Sequence, residues 1–142
     1  MDRDPYNLER FVEAQRGSTF EQACEELRRG RKTGHWMWFI FPQIAGLGLS
    51  EMSQRYAINS LQEAAAYLAH PVLGPRLKEV CGIVNAIEGK SAYQIFGSPD
   101  DMKLRSSMTL FAKAADENAE FVEVIRKYFG EELDQRTAEL MG

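Results

Sequence analysis

Apolar positions recur at helical spacing along most of the chain. Leu8, Phe11 and Val12 stand at i, i+3 and i+4, the stripe of a first helix that ends near Gly17. Ser18 followed three residues later by Glu21 has the form of a capping box, and opens a second helix with Phe20, Cys24 and Leu27 inward. That helix stops at Gly30. Ser60 and Glu63 repeat the signature ahead of Leu61, Ala65 and Leu68. Pro71 suits the first turn of the next helix, where a missing N–H costs nothing. Leu73, Leu77, Val80, Val84 and Ile87 then follow at spacings of 4, 3, 4 and 3, the pattern of a central and most buried helix closed at Gly89.

Beyond Gly89, Ser91 caps one turn through Ala92–Phe96. Ser98-Pro99-Asp100-Asp101 combines a cap, a proline at the first position and acids favoured by the helix dipole. The helix it starts runs to about Ala115, with Leu104, Met108 and Phe111 on one face. Asn118 caps another whose face is Phe121, Ile125, Tyr128 and Phe129, and a short helix spans Leu133–Leu140. His35-Trp36-Met37-Trp38-Phe39-Ile40-Phe41-Pro42 is ambiguous, because its residue types favour strand. A strand needs partners, however, and only the weak Arg55–Ile58 segment offers one. The better reading is a buried helix ending before Pro42, followed by a loop over Ala45–Ser50. The fold expected is mainly α: a single compact domain, residues 1–142, of about seven or eight helices, with Leu77, Val80, Val84, Ile125 and Phe129 deepest.

Composition narrows the function. The 142 residues are 44% hydrophobic and 27% charged, ordinary globular values. The longest wholly apolar run, Trp36 to Phe41, is far below the roughly 20 residues of a membrane span. The N-terminal stretch has no apolar core of the signal-peptide kind. A net charge of -4 disfavours duplex nucleic acid as a partner. Cys24 and Cys81 lie far apart with no CxxC spacing, and no His or Cys pair has zinc-ligand spacing. These features describe a reduced, cytoplasmic chain with no metal and no cofactor.

Some strings are specific enough to place the chain among relatives. Gly34-His35-Trp36-Met37-Trp38-Phe39-Ile40-Phe41-Pro42-Gln43 is one. Others are Asp4-Pro5-Tyr6-Asn7-Leu8-Glu9-Arg10-Phe11, Gln54-Arg55-Tyr56-Ala57-Ile58, Tyr67-Leu68-Ala69-His70-Pro71-Val72-Leu73-Gly74 and Lys103-Leu104-Arg105-Ser106-Ser107-Met108-Thr109-Leu110-Phe111. Together they resemble a domain-of-unknown-function family of small bacterial and fungal proteins, over roughly Asp4 to Phe129. The resemblance implies a multihelical cytoplasmic domain and brings no activity with it. Some members carry the label calpastatin, which does not suit this chain: calpain inhibitors are long, disordered and repetitive, and this sequence is short and periodic. Ser53-Gln54-Arg55-Tyr56 and the later lysine-to-phenylalanine helix are also similar to the NADAR proteins, which process ADP-ribose-type N-glycosidic bonds.

Polar residues around the aromatic segment are the candidates for chemistry. Arg28-Arg29-Gly30-Arg31-Lys32 leads through Thr33-Gly34 into His35. It reads either as a phosphate site or as a cationic helix end complementing the dipole. Gly46-Leu47-Gly48 is not a dinucleotide loop, since Glu51 stands where the third glycine would fall. Lys103, Ser106 and Ser107 share a helix face at i, i+3 and i+4 and could donate to an anion, or could simply let another helix approach closely. His70, before Pro71, reads as a cap.

The expected function is binding or hydrolytic processing of a small anionic ligand: a nucleotide, NAD or an ADP-ribose derivative. Trp38, Gln43, Arg55, Tyr56, Lys103, Ser106 and Ser107 would line the pocket. His35 would transfer protons, because its unperturbed pKa lies near neutrality; Glu51 and Asp101 are the acidic candidates beside it. The alternative is a non-catalytic protein-interaction module that uses the aromatic segment, the chain being a monomer or a homodimer. Exposure separates the two, for an open aromatic patch would favour a partner.

Overall fold

The periodicity is realised in ten helices among the described residues, 4–141, of a computed structural model. In chain order they are α1 (Glu9–Ala14), α2 (Thr19–Arg28), α3 (Met37–Ile40), α4 (Glu51–Arg55), α5 (Leu61–Ala69), α6 (Leu73–Ala86), α7 (Ala92–Phe96), α8 (Asp100–Ala114), α9 (Ala119–Phe129) and α10 (Gln135–Leu140). The count exceeds the seven or eight expected because short turns such as α4 leave little periodic signal. α4 is set by a cap instead: the Ser50 hydroxyl accepts from the Ser53 N–H at 3.1 Å. The strand tendency near Arg55–Ile58 survives only as one isolated parallel bridge between Ile44 and Ile58. No helix among the described residues is long and apolar enough to cross a membrane.

Local signals were realised unevenly. Ser91 and Gln94 form the full reciprocal capping box of α7, and Ser60 accepts from the Glu63 N–H as its spacing requires. Ser18 makes no side-chain cap bond, and α8 starts at Asp100, after Pro99 rather than on it. Likewise Pro71 precedes the first turn of α6, whose opening N–H groups, those of Val72 and Leu73, are taken by His70 Nδ1 at 3.1 and 3.2 Å.

The centre of the fold is α8, not α6. α8 packs against α5, α7, α9 and α10, while α6 meets α2, α5 and α9. Polar residues hid this from the pattern: Ser106, Ser107 and Thr109 are buried alongside Leu104, Met108 and Phe111. Two of those hydroxyls bond back along the helix, Ser106 to the Met102 carbonyl and Thr109 to that of Arg105, which lets a polar side chain sit in apolar surroundings. Leu77, Val80, Val84 and Ile125 are core residues as expected, whereas Phe129, near the end of α9, is only half-buried.

The aromatic segment is a single helical turn, α3, which Pro42 prevents from extending. Trp36, Met37, Phe39, Ile40 and Phe41 are all buried by the chain itself. Two anchors hold them. On one side Gln15, from the end of α1, donates to the Phe39 carbonyl at 2.7 Å. On the other, the buried Glu26 carboxylate of α2 accepts from the N–H groups of Thr33 and Gly34 at 2.7 and 2.8 Å, the Trp36 indole at 3.0 Å and the Gln22 amide at 3.1 Å. A side chain at position 34 would not fit: its Cβ would stand 2.9 Å from the Trp36 ring and 3.1 Å from Glu26 Oε2.

A third anchor is Arg10. Its guanidinium donates to the carbonyls of Tyr6, Asn7, Arg55 and Ala57 and pairs with the buried Glu63 at 2.9 Å. Glu63 also accepts from the Asn59 N–H. The chain between α4 and α5 is thereby fastened to α1.

Two expected outcomes follow from the packing and the anchors. Leu77→Ala should lower unfolding free energy by about 2–5 kcal/mol in chemical denaturation, the range for a fully buried leucine. Burial alone would raise the Glu26 pKa, but the donors of Gly34, Thr33, Trp36 and Gln22 outweigh it and hold the group at about 2 instead of 4.5. Its stabilisation is therefore fully present above pH 4.5 and is lost as pH falls through 2, a swing on the order of 3 kcal/mol. Glu26→Ala should be strongly destabilised at pH 7, and its deficit relative to the parent should shrink when denaturation is repeated between pH 4 and pH 2.

Candidate functional site

The basic run does not act as one unit. Lys32 turns inward: its ammonium donates to the Gly34 carbonyl at 2.6 Å, pairs with Asp100 Oδ2 at 2.8 Å and lies 5.1 Å from the centre of the Trp36 ring. Its side chain is only 8% exposed, so Lys32 is a bolt between the 31–34 loop and the start of α8. Arg28 and Arg29 border a broad surface groove of about 690 Å³ between the end of α2 and α6. Their charges are answered locally by Glu79 at 3.8 Å and Glu25 at 3.4 Å, and Lys90 beside them donates to the Gly30 carbonyl.

The sequence candidates meet elsewhere. Gln43, Lys103 and Ser106 line one cleft of about 350 Å³, with Leu47, Gly48, Ser53, Pro99, Met102, Asp134 and Arg136. The site is assembled outward from α8. Asp100 Oδ1 holds Lys103 at 3.4 Å, and the lysine ammonium lies 5.3 Å from the centre of the Trp38 ring. The cleft thus adjoins the aromatic segment through the contact of Lys103 with Trp38.

The opposite wall is brought in by the C-terminal residues. Arg105 donates to the carbonyls of Glu132 and Leu133, and Thr109 Oγ1 accepts from the Asp134 N–H at 2.8 Å. The Asp134 carboxylate is then spent capping α10, accepting from the N–H and hydroxyl of Thr137. This fixes Arg136 beside the cleft, exposed and with no ion pair among the described residues. The third wall is the 43–53 segment, where Gly48 passes so close to Ser53 that a Cβ would stand 2.5 Å from its hydroxyl.

The remaining candidates lie apart from this cleft. His35 is exposed on the loop before α3 and is not among the cleft's lining residues. Arg55 is exposed at the end of α4, with its carbonyl taken by Arg10. Tyr56 is a buried core residue, its ring 5.8 Å from that of Phe11 and 5.4 Å from that of Phe39, and it is not among the cleft's lining residues. Ser107 is wholly buried and its hydroxyl has no partner, and Trp38 Nε1 is likewise buried without one. Glu51 and Asp101 do not line the cleft either.

Sequence reasoning missed Arg136, Asp134 and Ser53. No local motif marks Arg136; only the docking of α10 on α8 brings it to Lys103. Gly48, in a stretch the sequence reading set aside, lines the cleft where the chain passes close to Ser53.

Both cysteines are buried and free. Burial pushes the Cys24 thiol up to about 11, further from thiolate at neutral pH. No group of His, Cys, Asp and Glu among the described residues is arranged to hold a metal.

Comparison with known proteins agrees with the fold. The crystal structure of the conserved hypothetical protein Rv1873 from Mycobacterium tuberculosis superposes with a TM-score of 0.95 at 56% sequence identity, over 97% of this chain and 98% of that one. No curated protein matches. A family model described as protein of unknown function (DUF1810) matches residues 5–141, nearly the whole of the ten-helix domain, and the chain belongs to that family.

Proposed function

We propose that the protein binds a small anionic ligand in the cleft between α8, α10 and the 43–53 segment. The observation that carries this reading is the convergence of Lys103 and Arg136, two cations from distant parts of the chain, on one concave site. The one carboxylate there, Asp134, is already engaged by Thr137. Behind Lys103, Asp100 serves two lysines, so its charge is shared and the site keeps a positive balance. At about 350 Å³ the cleft sits at the lower end of the range for small-molecule sites, roughly 300–1,000 Å³, which suits a compact anion.

The role proposed is binding and not turnover. No imidazole lines the cleft, and its one carboxylate, Asp134, caps α10 through Oδ2. The burial of Trp36, Met37, Phe39 and Phe41, with only Trp38 of the segment's aromatics partly exposed, supports this reading over a partner patch formed by the aromatic segment.

Thermal-shift and calorimetric titration with pyrophosphate, AMP, ADP-ribose and NAD tests the reading. A binding anion at a hundred times its dissociation constant should stabilise the fold by about 2.7 kcal/mol. Arg136→Ala removes a charge-assisted contact, and should weaken that anion about tenfold or more while leaving unfolding without ligand nearly unchanged. Lys103→Ala should weaken it similarly, at some cost in stability through Asp100. Absence of binding by every anion, or full affinity in both variants, would overturn the assignment.

A further inference from the structure

The cleft has an apolar margin as well as a cationic interior. Leu47 and Met102 line the cleft, and Met102 is one of seven large hydrophobic residues exposed among the described residues; three others, Leu49, Leu133 and Leu140, are near its lining residues in sequence. Leu49 follows Gly48 and Leu133 precedes Asp134, both lining residues. Leu140 lies one helical turn beyond Arg136 on α10, and its methyl groups are 3.4 Å from where a Cβ on Gly46 would be. Leu49 is the most exposed of all, at 89%, although its backbone is tied down by the Gln54 amide at 2.8 Å. Scattered apolar residues on a surface need no explanation, but Leu47 and Met102 lining the same cleft as Lys103 and Arg136 bear on what it would hold.

The polar interior also selects among anions. Lys103, Arg136, the Gln43 amide and the Ser53 hydroxyl are four donor groups from three separate parts of the chain. Ser53 Oγ accepts from Ser50, which leaves its own proton free to donate. A carboxylate offers two oxygens to such a set, whereas a phosphate monoester offers three around a higher charge.

We infer that the ligand is an organic phosphate monoester of small size, its phosphate held between Lys103 and Arg136 and its compact apolar or aromatic group lying on the Leu49–Met102 margin. This rests on the anion-binding reading above and adds the class of ligand. Inorganic phosphate would use the donors and leave the margin exposed. A free apolar molecule would cover the margin and leave Arg136, which has no ion pair among the described residues, unanswered. Only a molecule with both parts complements the whole site.

Calorimetric titration of the intact chain with phenyl phosphate, inorganic phosphate, benzoate and phenol tests the inference. Phenyl phosphate is expected to bind about tenfold or more tighter than each of the other three, the gain from covering apolar surface beside a held anion. Leu49→Ser changes an exposed position outside the cleft lining and should reduce that gain while leaving the affinity for inorganic phosphate unaltered. Equal affinity for phenyl and inorganic phosphate overturns the inference and leaves the anion site standing. Benzoate binding as tightly as phenyl phosphate overturns the choice of phosphate, and a phosphotyrosine pentapeptide binding more tightly still overturns the small-molecule assignment. If no probe binds, the anion-binding reading falls together with it.

Discussion

The buried carboxylate of Glu26 is the constraint on which the arrangement around the site depends. It has no cationic partner within salt-bridge distance among the described residues; neutral donors alone keep it ionised. Three of those donors belong to the 33–36 segment, so satisfying the charge forces that segment to fold back over α2. Trp36 is thereby placed in the core, Lys32 is left where it reaches Asp100, and Asp100 in turn holds Lys103 at the cleft. A single desolvated charge, which would be costly unless fully hydrogen-bonded, sets the register of the aromatic turn and the position of the lysine that lines the cleft.

Much of the fold was legible because helices announce themselves twice, through apolar spacing and through caps. α7 spans Ala92–Phe96, the turn that Ser91 announces, and α6 covers Leu73–Ala86, starting two residues after Pro71 and ending three before Gly89. The centrality of α8 was not legible, since Ser106, Ser107 and Thr109 count as polar in a periodicity; the hydroxyls of Ser106 and Thr109 bond back along the helix, and Ser107 is buried with its hydroxyl unpartnered. The missing half of the capping signal at Ser18 has the opposite lesson: the residue type permits a bond that the local backbone does not make.

The site was legible in part. Gln43 and Lys103 were chosen for their nearness to the aromatics and do share a cleft, because α3 packs beside the start of α8. His35 and Arg55 were chosen on chemical type, yet a side chain's direction is fixed by its neighbours: Glu26 holds the backbone before His35, and Arg10 fastens that of Arg55. Arg136 was invisible because nothing in its own surroundings marks it. Its role is conferred by Arg105 and Thr109, some thirty residues earlier, which dock the segment that carries it.

The two ionic anchors differ in how much chain they enclose, and that orders the steps by which the molecule can assemble. Glu26 reaches partners only 7, 8 and 10 residues ahead, so its loop can close while the rest of the chain is still open. Arg10 reaches Glu63 across 53 residues. By the logarithmic scaling of loop entropy, the longer closure costs about 1.7 kcal/mol more than an eight-residue one. The α2–α3 corner is therefore a local nucleus that can form early, and the Arg10 clasp a late event that locks α1 and α5 onto a core already in place.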